Sequence, residues 1–286
     1  MKPKIGITTG CLCGIGPEVV SKAISDPRVL QICIPKVFGD LNSGREDCGA
    51  KSIKAVESVV HAVMSGEVGA IVTAPINKLH WKKAGSEFLG HTEFLASLGG
   101  VKSVCMMMAS PKLKVSLVTT HARLADVPHL ITKERICEVT KLTLTHLRTY
   151  ALTHLKKIAI CALNPHAGES GEFGDEEEKI ILPAIAELKS EGYNVSGPYA
   201  SDTVFLKALN GEFAAVIAMY HDQALGVIKT LDFRNTVNVT LGLPFIRTSP
   251  DHGTAEDIVG KGIADHSNMV EAIKMAVELV RKCLST

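Results

Sequence analysis

Four histidines stand among small or turn-forming residues, and most of them follow a short apolar run that is typical of a strand. They are His91, His121, His166 and His221. A single histidine at a strand end is usually only hydrogen-bonded or solvated. Three neutral imidazoles, however, suit zinc and other divalent transition metals, and such an ion would polarise a substrate hydroxyl and carbonyl for alcohol oxidation. The separations along the chain are too long to form a local metal motif, so spacing alone does not establish the site.

A second group of candidate residues lies in segment 241–260, LGLPFIRTSPDHGTAEDIVG. Arg247 offers a planar fork of N–H donors that can bind phosphate or carboxylate, and a polar loop bounded by glycines follows it. The surrounding helix breakers favour a shaped binding loop over a surface loop with a solvated arginine. Lys229 and Asn238, upstream in the sequence, would add a charge and an amide.

Two further positions each allow two interpretations. Asp202 is either the N-cap of a helix or a carboxylate that orients a metal-bound group or accepts a proton. The turn at 10–18, GCLCGIGPE, lies between a predicted strand and a predicted helix, where backbone N–H groups can receive an anion. A purely structural tight turn fits the glycines equally well. The turn lacks the G-x-G-x-x-G spacing, so it is not a Rossmann fingerprint.

The cysteines give no functional signal at this level. Eight are scattered along a chain that is large enough to fold without disulfides, which favours buried, reduced thiols. Cys11 and Cys13 are separated by one residue, which matches neither a zinc knuckle nor a C-x-x-C redox pair. We therefore assign no chemistry to them.

The elements that must position these residues follow an alternating pattern. Short β-rich runs are followed by segments of helical periodicity, which predicts an α/β architecture. The predicted strands are 4–9, 70–73, 157–162 and 214–219, and the predicted helices are 17–25, 176–189 and 268–284. In the last helix Met269, Ile273 and Val277 share one face, so its methionines are expected in the core.

Composition limits the kinds of partner. Of 286 residues, 46% are hydrophobic, and 31 Lys and Arg balance 30 Asp and Glu. A large core is therefore available, and no net field favours nucleic acid or an anionic membrane. The N-terminus lacks the pattern of a signal peptide, and no apolar run approaches the length of a membrane span. We expect a cytoplasmic protein with a small-molecule substrate.

Six short motifs, taken together, resemble the 4-hydroxythreonine-4-phosphate dehydrogenase family, from about residue 6 to the C-terminal helix. They are GHTEF at 90–94, TTH at 119–121, LNPHAGE at 163–169, AMYHDQ at 218–223, NVTLGLPFIRTS at 238–249 and DHGTA at 251–255.

The resemblance implies a role for each candidate residue. The implied metal ligands are His121, His166 and His221, one of them supplied by the partner subunit, which implies a homodimer with shared active sites. The implied substrate-binding residues are His91, Thr92, Lys229, Asn238 and Arg247. Asp202 matches an acidic residue near the site, and Asp202 and Lys229 are the candidate catalytic residues. The segment His252, Gly253, Thr254 and Ala255 resembles the adenine-side loop of isocitrate and isopropylmalate dehydrogenases.

The resemblance also implies a fold and a reaction. The fold is the two-lobed α/β/α structure of those dehydrogenases, with the active site in the cleft between the lobes at a dimer interface. We expect a cofactor-side lobe of residues 1–100 and 245–286, and a central lobe of residues 101–244 for metal, substrate and dimer contacts. The implied reaction oxidises 4-phosphooxy-L-threonine to 2-amino-3-oxo-4-phosphooxybutanoate with NAD or NADP and a zinc, magnesium or cobalt ion. Decarboxylation to 3-amino-2-oxopropyl phosphate follows, in pyridoxal 5'-phosphate biosynthesis.

Two departures from the family pattern leave the substrate open. Cys11-Leu12 stands where the family commonly has an acidic residue and proline, and the segment between Asp40 and Ser52 is much shorter than usual. One alternative is a paralogue that oxidises threonate or erythronate 4-phosphate, because the substrates differ by one group. The other is a non-catalytic relative that binds a phosphorylated metabolite.

Overall fold

The computed structural model describes residues 2–42, 44–88, 90–150 and 157–285, and of Ser285 it describes only the backbone. The chain divides into two compact units, the first formed by Met1–Val104 with Arg234–Thr286 and the second by Cys105–Phe233. Residues 101–104 and 234–244, which we had assigned to the central lobe, therefore lie in the first unit. Residues 234–244 belong to the first unit because a strand at 237–241 pairs with one at 247–250.

The strands confirm the predicted α/β alternation. They are β1 (Lys4–Thr8), β2 (Ile34–Phe38), β3 (Ala70–Thr73), β4 (Cys105–Ala109), β5 (Lys114–Leu117), β6 (Lys157–Cys161), β7 (Val195–Tyr199), β8 (Phe213–Ala218), β9 (Val237–Leu241) and β10 (Arg247–Pro250).

The α-helices fall mainly between these strands. They are α1 (Gly16–Ile24), α2 (Pro27–Leu30), α3 (Cys48–Met64), α4 (Lys78–Lys83), α5 (His91–Leu98), α6 (Val127–Leu130), α7 (Lys133–Thr149), α8 (Leu182–Ser190), α9 (Ser201–Leu209), α10 (His221–Asp232) and α11 (Ser267–Ser285). Within the described ranges, no helix has the length and apolar character needed to cross a membrane.

In the first unit, the strand order is β2-β1-β3-β10-β9. The strands β2, β1, β3 and β10 run parallel to one another, and β9 runs antiparallel to β10. The closing helix α11 packs on β10, and the hydroxyl of Thr248 donates to the carbonyl of Ala272 at 2.8 Å. Met269 on this helix is fully buried, which confirms that it belongs to the core.

In the second unit, the strand order is β4-β5-β8-β6-β7. The strands β5, β8, β6 and β7 run parallel to one another, and β4 runs antiparallel to β5. Their central residues, such as Val115, Ala159 and Val216, are fully buried, as expected for strands covered by helices on both faces. The carboxyl ends of β5, β8 and β6 consequently lie side by side at one edge, where ligands of open α/β sheets gather.

Two local predictions differ from the structure. The helix expected at 176–189 begins as a π-helical turn, Glu177–Ile181, and continues as α8. Pro183 explains the change, because it has no N–H to donate to the preceding turn. Asp202 is not an N-cap, since Ala200 holds that position and Asp202 lies in the first turn of α9.

Candidate functional site

Two of the predicted metal ligands lie close together in the second unit. His121 follows β5 and His221 follows β8, the neighbouring parallel strand, and their ring centroids are 5.5 Å apart. The segments that follow β5 and β8 are joined by Thr119, whose hydroxyl donates to the carbonyl of Met219 at 2.7 Å. The parallel register therefore brings together two histidines that lie far apart in the sequence.

Neighbouring side chains orient His221 and the turn before it. Nδ1 of His221 lies 2.7 Å from a carboxylate oxygen of Asp222, an arrangement that leaves Nε2 for a ligand. The amide of Gln223 accepts from the N–H of Met219 at 2.7 Å and donates to the carbonyl of Ala162 at 2.8 Å. Gln223 thus joins the end of β8 to the end of β6, after which His166 follows.

His166 lies in a loop with an unusual backbone. The φ angles of His166, Ala167, Glu169 and Ser170 are all positive, between 41° and 57°, a region that non-glycine residues rarely adopt. The surrounding structure must maintain such a conformation, and strain of this kind is concentrated at functional sites. The side chain of His166 is exposed.

Glu177, which is buried, holds this loop in place. One of its carboxylate oxygens accepts from the backbone N–H groups of Leu163 and Asn164, both at 2.8 Å, and the other accepts from the Asn164 amide at 2.9 Å. A Cβ at Gly168 would come within 2.8 Å of that carboxylate, so only glycine fits there. From the sequence, Glu177 was predicted only as part of the helix at 176–189, and its role in this loop was missed.

The three histidines do not form a closed cluster within one chain. In the described ranges their ring nitrogens are not all within 4.8 Å of one another. Their common role as ligands therefore stays a prediction, as does the contribution of a partner subunit. Of the candidate catalytic residues, Asp202 is exposed in the first turn of α9, and the ammonium of Lys229 on α10 lies 5.7 Å from the ring centroid of Phe233.

In the first unit, Arg247 is buried at the start of β10. Its Nε and Nη2 groups donate to the hydroxyl of Thr73 at 3.1 and 2.7 Å, and Nη1 donates to Thr240 at 2.8 Å. Burial lowers the pKa of Arg247 to about 10, so the side chain is still charged near neutral pH. In the described part of the chain it contacts hydroxyls but no carboxylate, so no acidic side chain there offsets its buried charge.

His91 complements this charge as a neutral ring. Burial, and then the positive charge of Arg247, hold the pKa of His91 well below its usual value. Its Nε2 is buried without a hydrogen-bond partner among the described residues, and its ring packs edge-on against Trp81 at 5.4 Å. His91 and Thr92 begin helix α5, whose N-terminal N–H groups favour an anion. The structure thus places His91 near Arg247, and one ring nitrogen of His91 has no hydrogen-bond partner among the described residues.

Asn238 lies on the same side of the sheet. It is on β9 two residues before Thr240, and alternate residues of a strand face the same way. Asn238 therefore lies on the same face of the sheet as Thr240, which accepts a hydrogen bond from Arg247. Its Oδ1 is buried without a partner among the described residues. Asn238, Arg247 and His91 together present an amide oxygen, a guanidinium and an imidazole.

The segment predicted to bind the cofactor packs on the glycine-rich turn. The carbonyl of Thr254 accepts from the N–H of Ile15 at 2.8 Å, and Ala255 has a left-handed backbone. In His252, Nδ1 lies 3.1 Å from the carbonyl of Gly253, and Nε2 is buried without a partner in the described ranges. The turn is therefore at least a structural support for this segment.

A cluster that the sequence analysis missed joins Cys11, Cys13, Cys48 and His80. Their sulfur and nitrogen ligand atoms all lie within 4.8 Å of one another. The ligands come from three distant parts of the chain, so only the C-x-C pair was visible in the sequence, and its spacing is unusual. The remaining cysteines are free as predicted, and all of them except Cys283 are buried.

Comparison with known proteins shows relatives along nearly the whole chain. A Geobacter metallireducens protein named 4-hydroxythreonine-4-phosphate dehydrogenase is 40% identical over 327 residues, which cover 98% of this chain and 96% of the relative. That alignment is longer than this 286-residue chain, so the relative has residues that this chain lacks. A Cupriavidus necator protein named D-threonate 4-phosphate dehydrogenase is 39% identical, with 98% of each chain covered.

Solved structures show the same fold. The crystal structure of 4-hydroxythreonine-4-phosphate dehydrogenase from Klebsiella pneumoniae matches with a TM-score of 0.88 and 33% identity, covering 98% of both chains. Isocitrate dehydrogenase from Methylococcus capsulatus matches with a TM-score of 0.57 and 15% identity, covering all of this chain and 87% of the other. The predicted likeness to the isocitrate dehydrogenase fold is confirmed.

The family model described as pyridoxal phosphate biosynthetic protein PdxA matches residues 16–276. The match extends over most of both units and includes every predicted metal, substrate and cofactor residue. With relatives 40% identical along nearly their full length, this shows that the chain belongs to the PdxA family of pyridoxal phosphate biosynthetic proteins.

Proposed function

We propose that this protein is the dehydrogenase that oxidises the secondary alcohol of 4-phosphooxy-L-threonine with NAD or NADP as hydride acceptor. The product, 2-amino-3-oxo-4-phosphooxybutanoate, is a β-keto acid and loses carbon dioxide to give 3-amino-2-oxopropyl phosphate. The similarity to relatives named for this reaction supports the assignment. The observation in the structure that carries it is the buried guanidinium of Arg247, which pairs only with hydroxyls in the described residues.

Arg247, His91, Thr92 and Asn238 bind the anionic and polar parts of the substrate. The guanidinium has five N–H donors and uses three on Thr73 and Thr240, so two remain for an anion. Because His91 is neutral, its free Nε2 can accept a hydrogen bond or donate one, depending on the tautomer. The positive end of helix α5 adds to the attraction for a phosphate or carboxylate.

His121, His166 and His221 are the residues that would hold a divalent metal. Neutral imidazoles fit zinc or cobalt better than magnesium, which prefers oxygen ligands. When bound, the ion polarises the substrate's oxygens and makes the hydroxyl more acidic. The exposure of His121 and His166 is consistent with a site completed by the partner subunit of a homodimer.

The nicotinamide cofactor is proposed to contact the segment from His252 to Ala255. The buried Nε2 of His252, without a partner in the described chain, supports a ligand at this position. Lys229 and Asp202 are the groups proposed to take the hydroxyl proton, because each can exchange a proton and both lie in the unit that carries the three histidines.

A second candidate reaction is oxidation of D-threonate 4-phosphate. Its support is the Cupriavidus necator relative, which is 39% identical and named for that activity. The two substrates differ in carrying an α-amino or an α-hydroxy group. The departures at Cys11-Leu12 and between Asp40 and Ser52 are in the first unit, which also contains Arg247 and His91.

The test is a metal-supplemented activity screen of the purified protein. Formation of NADH and NADPH is followed with 4-phosphooxy-L-threonine, threonate 4-phosphate and erythronate 4-phosphate, and the His166→Ala variant provides the background. We expect the highest kcat/KM with 4-phosphooxy-L-threonine. A higher value with a sugar-acid phosphate would assign the protein to the second reaction, and binding without any turnover would make it a non-catalytic relative.

A further inference from the structure

The Cys11, Cys13, Cys48 and His80 side chains form a compact ligand group in the first unit, which we call the thiol cluster. Cys11 and Cys13 lie in the turn between β1 and α1, Cys48 is the first residue of α3, and His80 is on α4. Cys11 and Cys48 are buried, and Cys13 and His80 are half-buried. None of these residues is among those to which the proposed reaction assigns a role.

The distances suit a single ion. The sulfurs of Cys11 and Cys48 are 2.7 Å apart, and the Cys11 sulfur is 3.3 Å from Nδ1 of His80. A tetrahedral zinc ion with sulfur ligands at about 2.3 Å holds two sulfurs about 3.8 Å apart, so side-chain shifts of about 1 Å would complete the geometry. A disulfide requires a distance of about 2.05 Å, and the cysteines are free. An iron–sulfur cluster would separate its cysteine ligands more widely, because its own irons and sulfides lie between them.

The backbone holds these ligands together independently of an ion. The N–H of Cys11 donates to the carbonyl of Pro75 at 2.8 Å, which ties the turn to the segment that leads into α4. A Cβ at Gly49 would overlap the carbonyl oxygen of His80, so glycine allows α3 to approach α4 at this point. Trp81, beside His80, is fully buried and donates to the hydroxyl of Ser52 on α3 at 2.7 Å.

Burial raises the pKa of the Cys13 and Cys48 thiols, so their thiolates need positive charge nearby, and the surroundings supply it. Cys48 occupies the first position of a helix of 17 residues, where the helix dipole stabilises a negative charge. Arg45 and Lys83 line the adjoining cavity of about 280 Å³ together with Cys13, Cys48 and His80. Three thiolates, one neutral imidazole and a divalent ion carry a net charge of about −1. Asp47 lines the same cavity, so the two cations together offset the charge of the site and of this carboxylate.

We propose that the thiol cluster binds one zinc ion as a closed Cys3His structural site. Each thiol releases its proton to solvent when it binds, and His80 binds through Nδ1 as a neutral ring. Thiolate ligands select zinc over magnesium and calcium, and four protein ligands leave no open position for a substrate.

The site would stabilise a part of the first unit that has little core of its own. Residues 39–42 and 44–47, which connect β2 to α3, are almost all exposed. Such a segment gains little from apolar burial, so a metal link among the turn, α3 and α4 would contribute most there. The link would also brace α4, where Trp81 packs against His91.

The test uses cobalt as a spectroscopic probe, because a thiolate–cobalt bond gives a charge-transfer band in the near ultraviolet and an all-histidine site does not. Metal is removed from the whole protein with a chelator under reducing conditions, and Co²⁺ is titrated back. We expect a band that saturates at one ion per chain and that Zn²⁺ displaces. The His166→Ala variant should keep this band, so the result is independent of the metal site of the proposed reaction.

Cysteine variants test which residues bind the ion that gives the band. Cys48→Ser should abolish it and remove one zinc per chain from the protein as purified, whereas Cys33→Ser, which alters a buried cysteine outside the cluster, should change neither. Cys13→Ser, at a half-buried position, serves as the second variant if Cys48→Ser does not fold, and it should weaken the band. A missing band in the wild-type protein would overturn the proposal. So would a band unaffected by either cluster variant, or a Cys11–Cys48 disulfide in place of zinc.

Discussion

Replacing Arg247 with lysine tests the proposed substrate site most directly. Arg247 is 4% exposed, and its two remaining N–H donors project from the two terminal nitrogens of one planar group. Such a pair can hold a phosphate or carboxylate through two parallel hydrogen bonds. A lysine keeps the charge but not the fork, so Arg247→Lys removes geometry rather than charge.

The magnitude follows from the hydrogen bonds that the substitution removes. Loss of one charge-assisted hydrogen bond to the substrate costs about 1.5 to 3 kcal/mol, which corresponds to roughly a ten- to hundredfold rise in substrate KM. Within the protein, the hydroxyls of Thr73 and Thr240 also lose their donors. That loss should lower the free energy of unfolding by about 1 kcal/mol for each hydroxyl.

The assay is steady-state kinetics with the substrate and the cofactor varied separately, together with the metal dissociation constant and a denaturant unfolding curve. The matched control is Arg28→Lys in the same unit, because Arg28 pairs with Asp26 at the surface. We expect the control to leave both KM values unchanged. We expect Arg247→Lys to leave the metal affinity and the cofactor KM nearly unchanged.

Two results would contradict the assignment of Arg247 to the substrate site rather than to the cofactor site. If Arg247→Lys left the substrate KM unchanged and raised the KM for NAD strongly, Arg247 would belong to the cofactor site. An unchanged KM for both ligands with a large fall in stability would instead make the guanidinium a structural group.

Three further predictions concern the second unit. His166→Ala should abolish metal-dependent turnover with little change in folding, and near-normal activity at low metal concentration would contradict its role. If the ligands come from two subunits, mixing this variant with inactive His121→Ala or His221→Ala chains should restore some activity in at least one pairing. Glu177→Ala should lower both stability and metal affinity, since two backbone N–H groups lose their acceptor at about 1 to 3 kcal/mol each; unfolding curves and metal titrations measure the two effects, and unchanged values would contradict them. Burial lowers the pKa of His146 to about 4, whereas its value in the unfolded chain is near 6.5. Between these two pH values the unfolded chain binds more protons than the folded chain. The free energy of unfolding should therefore fall by about 1.4 kcal/mol per pH unit as the pH drops through this window. His146→Phe should flatten that slope in unfolding curves recorded at several pH values, and an unchanged slope would assign the pH dependence to other groups.

Local sequence patterns were sufficient to predict several elements of the fold. Short apolar runs predicted β1 and β8, and period-3.6 hydrophobicity predicted the closing helix, with Met269 in the core. The local pattern also predicted a shaped binding loop around Arg247, whereas the structure places Arg247 at the start of β10, and its role in binding stays a prediction. The predictions of secondary structure succeed because each depends on residues within one or two turns of chain.

Contacts between residues far apart in the sequence depend on how separate elements pack. The parallel register of β5 and β8 brings His121 beside His221, and the buried carboxylate of Glu177 fixes the loop of His166. Neither contact has a signature in the local sequence, since each depends on strand order and on side chains from separate elements. The thiol cluster shows this most clearly, because four ligands from three segments meet only after β1, α3 and α4 have packed. The C-x-C pair gave no prediction alone, since its other two ligands are defined by packing and not by spacing along the chain.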